Sequence, residues 1–503
     1  MASADLAAIF GRAVTEPDGI AIRDDRSARS WSELLDRVVR LANGLSDQLG
    51  IAPDGHVAAL LPNRTELVEM AIAGPLAGLW FTPINRHLTA DEVAYVVEDS
   101  SASVVLTDAD LAGHVPDGVR VIDVDRDLPG LIDSFSDAPP DLDAVAGGSM
   151  LYTSGTTGRP KGVRRGRPPS RRAAIEGARR YGGAIGLDGS GPHLVTGPLY
   201  HAAPLGLAVY DLYAGAPMVI MDRFDALDTL EAIETHRIEH THMVPTMFVR
   251  MLRLSEAEQT AYDHSSLTCV LHGAAPVSPA VKRSMIEWWG PVLVEYWGGS
   301  ESGVVTLVDS ETWLDNPGTV GRTLGSWEVF AADDDGTPLS AGHTGMLYCR
   351  NASLGNVFEY HQAPEKTSAA RLDRGTFTLG DIGRVDSDGY VYLADRAAHT
   401  IISGGVNIYP AEVEAVLQEH PAIADLAVFG IPDEEWGEQV KAAVCLHDGY
   451  TWSENLQEEL DAFARERLAG FKVPRSWDVH DELPRHPTGK LHVRRLRAPY
   501  WPE

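Results

Sequence analysis

The sequence predicts a large α/β N-terminal domain followed by a smaller α+β C-terminal domain, and three observations carry that expectation. At 503 residues the chain is too long for one core, because single cores stop growing near roughly 250 to 300 residues. Between residues 30 and 124, helix-period and strand-period segments alternate, as they do in α/β layers. Near Arg396 the character changes to a Gly-Gly pair, a Pro-led helix and two strand-like runs, which suits a separate domain of about a hundred residues. The expected division is 1–395 and 396–503, with a hinge near 396–400.

Ser30 and Glu33 stand at capping-box spacing ahead of Leu34, Val38, Leu41, Leu45 and Leu49, and Gly50 supplies the stop, so this segment is an amphipathic helix. Short apolar runs at 57–61, 103–107 and 121–124, each bounded by Gly, Pro or Asp, read as buried strands. The stretch 133–149 is rich in Asp, Pro, Gly and Ala without periodicity, and reads as a surface connection. In the tail, Pro410 opens a helix carrying Val413, Val416 and Leu417, and strands are expected at 423–429 and 440–446. No internal repeat of fixed period is present.

Composition excludes several partners. A formal net charge of -30 repels nucleic acid and anionic membranes at long range, so an anionic ligand needs a local basic patch. Cys269, Cys349 and Cys445 lack metal-ligand or redox spacing and read as reduced core residues of a cytosolic protein. Residues 1–15 lack the basic-then-apolar pattern of a signal peptide. The most apolar run, 70–81, is broken by Gly74, Pro75 and Gly78, so no spanning helix is expected and the location is cytoplasmic.

The segment with the most chemistry is Tyr152, Thr153, Ser154, Gly155, Thr156, Thr157, Gly158, Arg159, Pro160, Lys161, Gly162. Its glycines let backbone N–H groups turn toward an anion, its hydroxyls add donors and Lys161 adds a point charge, which together suit a triphosphate. It is not a Walker loop, because Lys161 does not follow Gly158 directly and no Ser or Thr follows the lysine.

With that segment and those that follow, the chain resembles the adenylate-forming superfamily of acyl-CoA synthetases, luciferases and peptide-synthetase adenylation domains over nearly its whole length. Pro198, Leu199, Tyr200 and His201 resemble the family's segment at the acyl-pocket mouth. His272, Gly273, Ala274, Ala275 and Pro276 resemble its adenine-facing loop, and Trp297, Gly298, Gly299, Ser300 and Glu301 its aromatic-Gly-x-Thr-Glu motif. Leu379, Gly380 and Asp381 come next, then Asp395 and Arg396 ahead of Ser403, Gly404 and Gly405, and finally Pro487, Thr488, Gly489 and Lys490.

The resemblance implies layered subdomains of mixed sheets flanked by helices, a mobile C-terminal domain, and ATP, Mg2+ and coenzyme A as reactants. It implies catalytic roles for Lys490, Glu301 and Arg396, with Glu301 as the metal ligand. Thr153, Ser154, Gly155, Thr156, Thr157, Gly158, Lys161, Gly273, Ala274, Ala275, Trp297, Ser300 and Asp381 would bind ATP or AMP, Asp381 through the ribose hydroxyls. His201, Ala202, Met243, Gly298 and Gly299 would line the acyl pocket, and Gly404, Gly405 and Trp436 would meet coenzyme A. Each of several residues also has a plainer reading: a solvated glutamate for Glu301, a turn aspartate for Asp381, core tryptophans for Trp297 and Trp436, a structural histidine for His201. The nine Lys and Arg of 159–180 read as a solvated face or, alternatively, as a holder for the phosphates of coenzyme A.

Three departures stand out. Trp297 replaces the usual Tyr, Ser300 the usual Thr, and Ala398 the charged swivel residue two places after Arg396. His201 occupies the place of the aspartate that anchors an amino group in peptide-synthetase domains, and Gly298 the place of a pocket-closing Trp in acetate-specific relatives. Small residues (Ala202, Ala203, Gly206, Gly298, Gly299, Gly303) beside apolar Leu205, Met243, Val244 and Phe248 suggest a neutral apolar acid longer than acetate: fatty, aryl-alkanoic or sterol side-chain. The expected activity is an ATP-dependent acid-CoA ligase. The alternatives are an acyl-AMP ligase that loads a carrier protein and a non-catalytic nucleotide or acyl-CoA sensor.

Overall fold

The computed structural model describes residues 8–501 apart from 154–159, 334, 397–398, 404–405, 434–435 and 486–490, and apart from the side chains of 395, 396, 406 and 407. The expected capping box is present. The Ser30 hydroxyl accepts from Glu33 N at 3.2 Å, and Ser30 N donates to the Glu33 carboxylate at 2.7 Å, opening the helix Trp31–Asn43. Leu34, Val38 and Leu41 form its buried face, and a π-helical turn, Gly44–Gln48, carries the stripe on to Leu45.

The three apolar runs are the strands His56–Leu60, Ala102–Thr107 and Arg120–Asp123 of a seven-stranded sheet. Trp80–Ile84, Gly148–Thr153, Lys161–Arg165 and Phe358–Tyr360 complete it. The connection at 133–149 is shorter than expected: the helix Leu128–Ser134 takes its start and the strand Gly148–Thr153 its end. A Leu-Pro-Gly-Leu-Ile run is long enough to fold back one apolar edge, with Leu128 and Ile132 buried.

A fourteen-stranded sheet forms the body of the large domain. Its parallel half includes Met218–Ile220, His193–Val195, His240–Met243, Cys269–His272 and Leu293–Gly299. Leu293–Gly299 then turns back into Gly303–Asp309, and the sheet continues antiparallel through Thr319–Thr323, Val391–Arg396 and Thr376–Val385. Carboxyl ends of parallel strands are where α/β sheets bind ligands; here the loops after His272 and Gly299 leave from those ends.

The tail folds on its own sheet of five strands, including Ile401–Ser403, Ile423–Asp433 and Gly437–Leu446, around Ile401, Val413, Leu417, Val428, Val444 and Leu460. Its helix Pro410–Leu417 starts at the expected proline. The fold is thus a large α/β domain with a smaller C-terminal domain. All three cysteines are free and buried, and burial pushes the Cys269 thiol up to about 12. Among the described residues no helix is long and apolar enough to cross a membrane.

Candidate active site

Gly148–Thr153 and Lys161–Arg165 pair antiparallel, with Thr153 opposite Lys161, so the segment between them closes a hairpin whose two ends face each other. Ser154, Gly155, Thr156, Thr157 and Gly158 lie outside the described residues. Tyr95 steadies the exit of the turn by donating to the Pro160 carbonyl at 3.0 Å. Lys161 stands over the Tyr360 ring at 4.9 Å, and the Tyr360 hydroxyl donates to Glu301 Oε1 at 2.9 Å. Burial, then the charge of Lys366, lower the Lys161 pKa against the opposing pull of Glu301. Three elements distant in sequence thus bring a cation, a phenol and a carboxylate together. Nothing local in the sequence singled out Tyr360, which lies at the end of the short strand Phe358–Tyr360.

Asp381 is buried on Thr376–Val385, its backbone in register with Arg396. It accepts the Trp297 indole N–H at 2.9 Å. Trp297 is itself buried, in a cluster with Val163, Val320, Trp327 and Phe377. The indole thus has the surroundings of the plainer, core alternative, and its N–H orients the ribose-binding candidate Asp381. A bulge between Trp297 and Gly298 turns the strand at that point.

Gly298 has a backbone requirement of its own: a Cβ there would lie 1.9 Å from the Gly303 carbonyl oxygen, so the returning strand requires glycine. At Gly299 a Cβ would lie 3.0 Å from Glu301 Oε2. Ser300, in the turn that follows, is half-buried. In the adenine-facing loop, Ala274 holds φ +65°, and a Cβ on Gly273 would press on the Tyr296 carbonyl at 2.6 Å. Ala275 follows in the same bend.

His201 is the N-cap of the helix Ala202–Ala214, and its ring packs on Tyr200 at 4.6 Å. Ala202 is half-buried as the first helical residue. Met243 is fully buried among Leu194, Met247 and Phe248, so it is a core residue, contrary to expectation. Asn63, which the sequence did not flag, clamps the 197–199 loop: its side chain donates to the Gly197 carbonyl at 3.0 Å and accepts from Leu199 N at 2.8 Å.

The basic run is not a uniformly solvated face. Arg164 and Arg167 lie over the Trp80 ring at 4.7 and 5.4 Å, and with Asp54 and Glu359 they line a cavity of about 450 Å³. Arg179 instead donates to the carbonyls of Tyr213, Ala8 and Ile9. Of the coenzyme A candidates, Gly404 and Gly405 lie outside the described residues, as do Lys490 and Ala398. Nothing is described of the Arg396 side chain. Trp436 is 40% exposed beneath the Arg475 guanidinium at 5.2 Å, which rules out the core alternative.

Comparison with known proteins agrees with this arrangement. Residues 10–358 match the family described as AMP-binding enzyme, and residues 412–490 match the AMP-binding enzyme C-terminal domain. The chain is 35% identical over 499 residues to a feruloyl-CoA synthase of an Amycolatopsis species, covering 95% of this chain and 96% of that one. It is 33% identical over 488 residues to a 2-succinylbenzoate–CoA ligase of Geobacillus kaustophilus, covering 97% and 96%. Its structure superposes on the o-succinylbenzoate CoA synthetase of Bacillus subtilis in complex with the acyl-adenylate intermediate, with a TM-score of 0.82, 29% identity and 98% of each chain covered. Matched along both family domains and aligned nearly end to end with these ligases, the chain belongs to the AMP-binding enzyme family, within the adenylate-forming acyl-CoA ligase superfamily.

Proposed function

We infer that this AMP-forming acid-CoA ligase runs both half-reactions through the cleft between the Thr153/Lys161 hairpin and the turn at Gly299–Gly303. The observation that carries the reading is the Lys161, Tyr360 and Glu301 cluster, which presents a cation and an oriented carboxylate to one space. The enzyme uses ATP, Mg2+ and coenzyme A with a carboxylic acid. Glu301 fits the metal: Tyr360 engages Oε1 while Oε2 faces Gly299, so one hard oxygen is available to a cation otherwise held by phosphates. Bound there, magnesium neutralises phosphate charge.

In the first half-reaction a carboxylate oxygen attacks the α-phosphorus, forming the acyl–O–P bond as pyrophosphate leaves. Lys161 and Lys490 hold the charge that develops, and Asp381, oriented by Trp297, holds the ribose. Thr153, Gly273, Ala274 and Ala275 flank the nucleotide, and Arg396 is backbone-paired to Asp381. In the second, the thiol of coenzyme A releases its proton to water, its sulfur attacks the acyl carbonyl carbon, and AMP departs with the bonding pair. A hinge at 396–400 would let the C-terminal domain withdraw Lys490 and bring Gly404, Gly405 and Trp436 to the thiol's path. The cavity of Trp80, Arg164 and Arg167 supplies the basic patch that the nucleotide phosphates of coenzyme A need in so acidic a protein. Free buried thiols accord with a cytoplasmic location. The carrier-loading and sensor alternatives are not favoured, since the relatives over the full length are named CoA ligases.

The test is a panel of acids with MgATP. Pyrophosphate release should require an acid, bulk AMP release should also require coenzyme A, and mass detection should find the thioester. Thioester formed without acyl-AMP would overturn the reading.

A further inference from the structure

The strand Lys161–Arg165 has two faces, because successive side chains alternate. Arg164 turns to His56 and Trp80. Arg165 turns the other way, with Lys161 and Val163, into the cleft that holds Glu301. Its guanidinium reaches Tyr210 on the helix Ala202–Ala214, the helix that begins at the acyl-pocket residues His201 and Ala202, and the contact is a long one of 3.3 Å. Across the cleft, Gly303 makes room for it. A Cβ there would lie 2.8 Å from Arg165 Nη1 and 2.8 Å from the Tyr181 hydroxyl. Tyr181 is tied to the same turn, accepting Val304 N–H at 2.6 Å, and its ring meets that of Tyr210 edge-on at 5.4 Å.

Two facts about Arg165 need a common explanation. It is exposed, and it borders the cavity that Arg164 and Arg167 line. It also forms no ion pair with any described carboxylate, in a chain that carries 72 Asp and Glu against 42 Lys and Arg. Glu301, across the cleft, acts on its charge without an ion-pair contact, so the guanidinium remains open to an anionic ligand. Its planar fork has N–H groups to spare beyond the Tyr210 contact, and two phenols stand beside it. That donor set matches a carboxylate held bidentately.

We propose that Arg165, with Tyr210 and Tyr181, holds a second carboxylate on the acid, so that the substrate is a dicarboxylic acid with an apolar body, activated at one end and anchored at the other. The proposal rests on the acid-CoA ligase reading and departs from the expected neutral tail at its far end: small and apolar pocket residues suit the spacer, and Arg165 suits a distal charge. Because Arg165 also borders the cavity of Arg164 and Arg167, the rival occupant is a phosphate of coenzyme A, and the experiment separates the two.

Pyrophosphate release and thioester formation would be measured with α,ω-dicarboxylates from glutarate to sebacate and with aryl dicarboxylates such as 2-succinylbenzoate, each against its monomethyl ester. The ester keeps the length and removes the distal charge. At least one diacid should exceed its ester about tenfold or more in kcat/KM. Arg165→Gln should bring that ratio near one through the acid's KM, with the KM for coenzyme A unchanged, and Tyr210→Phe should lower the ratio by less. Arg165→Lys, which keeps the charge, should retain part of the preference, and melting curves would show that each variant is folded. If every ester matches or exceeds its diacid in the wild-type enzyme, the proposal fails while the ligase reading stands, a result that needs no variant. If Arg165→Gln raises the KM for coenzyme A and leaves the ratio intact, the arginine serves the coenzyme and the proposal fails. If no acid of any kind releases pyrophosphate, the reading beneath it falls as well.

Discussion

Asp211 and Glu301 are carboxylates in the same large domain, and their surroundings differ in kind. Asp211 has no exposed surface. Its Oδ2 accepts from His193 and His240 at 2.9 and 2.8 Å, and its Oδ1 accepts Gly189 N–H at 3.0 Å. Glu301 is half-buried just after a parallel strand, with the Tyr360 hydroxyl on one oxygen and the other, beside Gly299, without a hydrogen-bond partner among the described residues. A buried carboxylate surrounded by donors of its own chain does its part when the fold closes. One left with an unpartnered oxygen is arranged for a partner that arrives later. The contrast teaches that polar residues in this sheet divide by whether the chain itself completes their shells, and mutations should divide accordingly between stability and activity.

The largest effect is expected at the closed cluster. Asp211→Ala leaves two buried imidazoles without their acceptor, and unfolding in urea should show a loss of about 3 to 5 kcal/mol, with activity per folded molecule retained. Loss of adenylation with unchanged stability would place Asp211 in the site instead. Next is Lys490→Ala, expected to slow pyrophosphate release by at least about a hundredfold, the scale of one preorganised charge donor. Thioester formation from supplied acyl-AMP should hardly change, because the hinge reading removes that lysine before the second step. Smaller again is Trp297→Phe, which keeps the core ring and deletes the N–H on Asp381. The KM for ATP should rise about tenfold or more, as for a lost hydrogen bond to a charged group of ~1.5–3 kcal/mol, while kcat at saturation stays close to wild type. An unchanged KM would separate Asp381 from the ribose.

How much of this was legible beforehand follows from the range of each signal. The Ser30/Glu33 capping box and the Pro410 helix start are local chemistry, and both are found in place. Glu301, Asp381 and Lys161 were singled out because the short segments that carry them resemble the family's motifs. What the sequence could not display was direction. The bulge after Trp297 sends the indole into the core and brings Gly298 against the Gly303 carbonyl, and a linear motif records neither. Arg164 and Arg165 are neighbours in one basic run and border one cavity, yet strand alternation turns Arg164 to Trp80 and Arg165 to Tyr210, a difference that charge density does not record. Tyr360 and Asn63 make contacts 59 and 136 residues away in sequence, and without partners in view each looks ordinary.

The smallest expected effect concerns pH and sharpens the comparison from the side of the closed cluster. Burial alone would lower the His240 pKa, but the hydrogen bond and charge of Asp211, aided by Asp188 and Glu239, prevail and raise it. Burial likewise opposes ionisation of Asp211, and the His193 and His240 hydrogen bonds outweigh it to hold the carboxyl below its ordinary value. A raised imidazole contributes stability in full below its unfolded value of about 6.5, and that contribution is lost as pH climbs through the folded value. The lowered carboxyl contributes above its unfolded value and loses the contribution only as pH falls through the folded one, well away from this window. Two other buried histidines run in the opposite sense: burial brings His242 down to about 3 and His272 well below its usual value. Both are present in wild type and variant, so they cancel in a difference. His240→Gln removes the titrating group and keeps a donor for Asp211. The stability advantage of wild type over this variant, read from urea midpoints, should therefore shrink as pH rises from about 6 to about 9. The pH profile of adenylation should be the same for both proteins, because the group lies in the closed cluster. An advantage that stays flat across that range would mean His240 is neutral throughout, and a shifted adenylation profile would mean the two clusters are not separate.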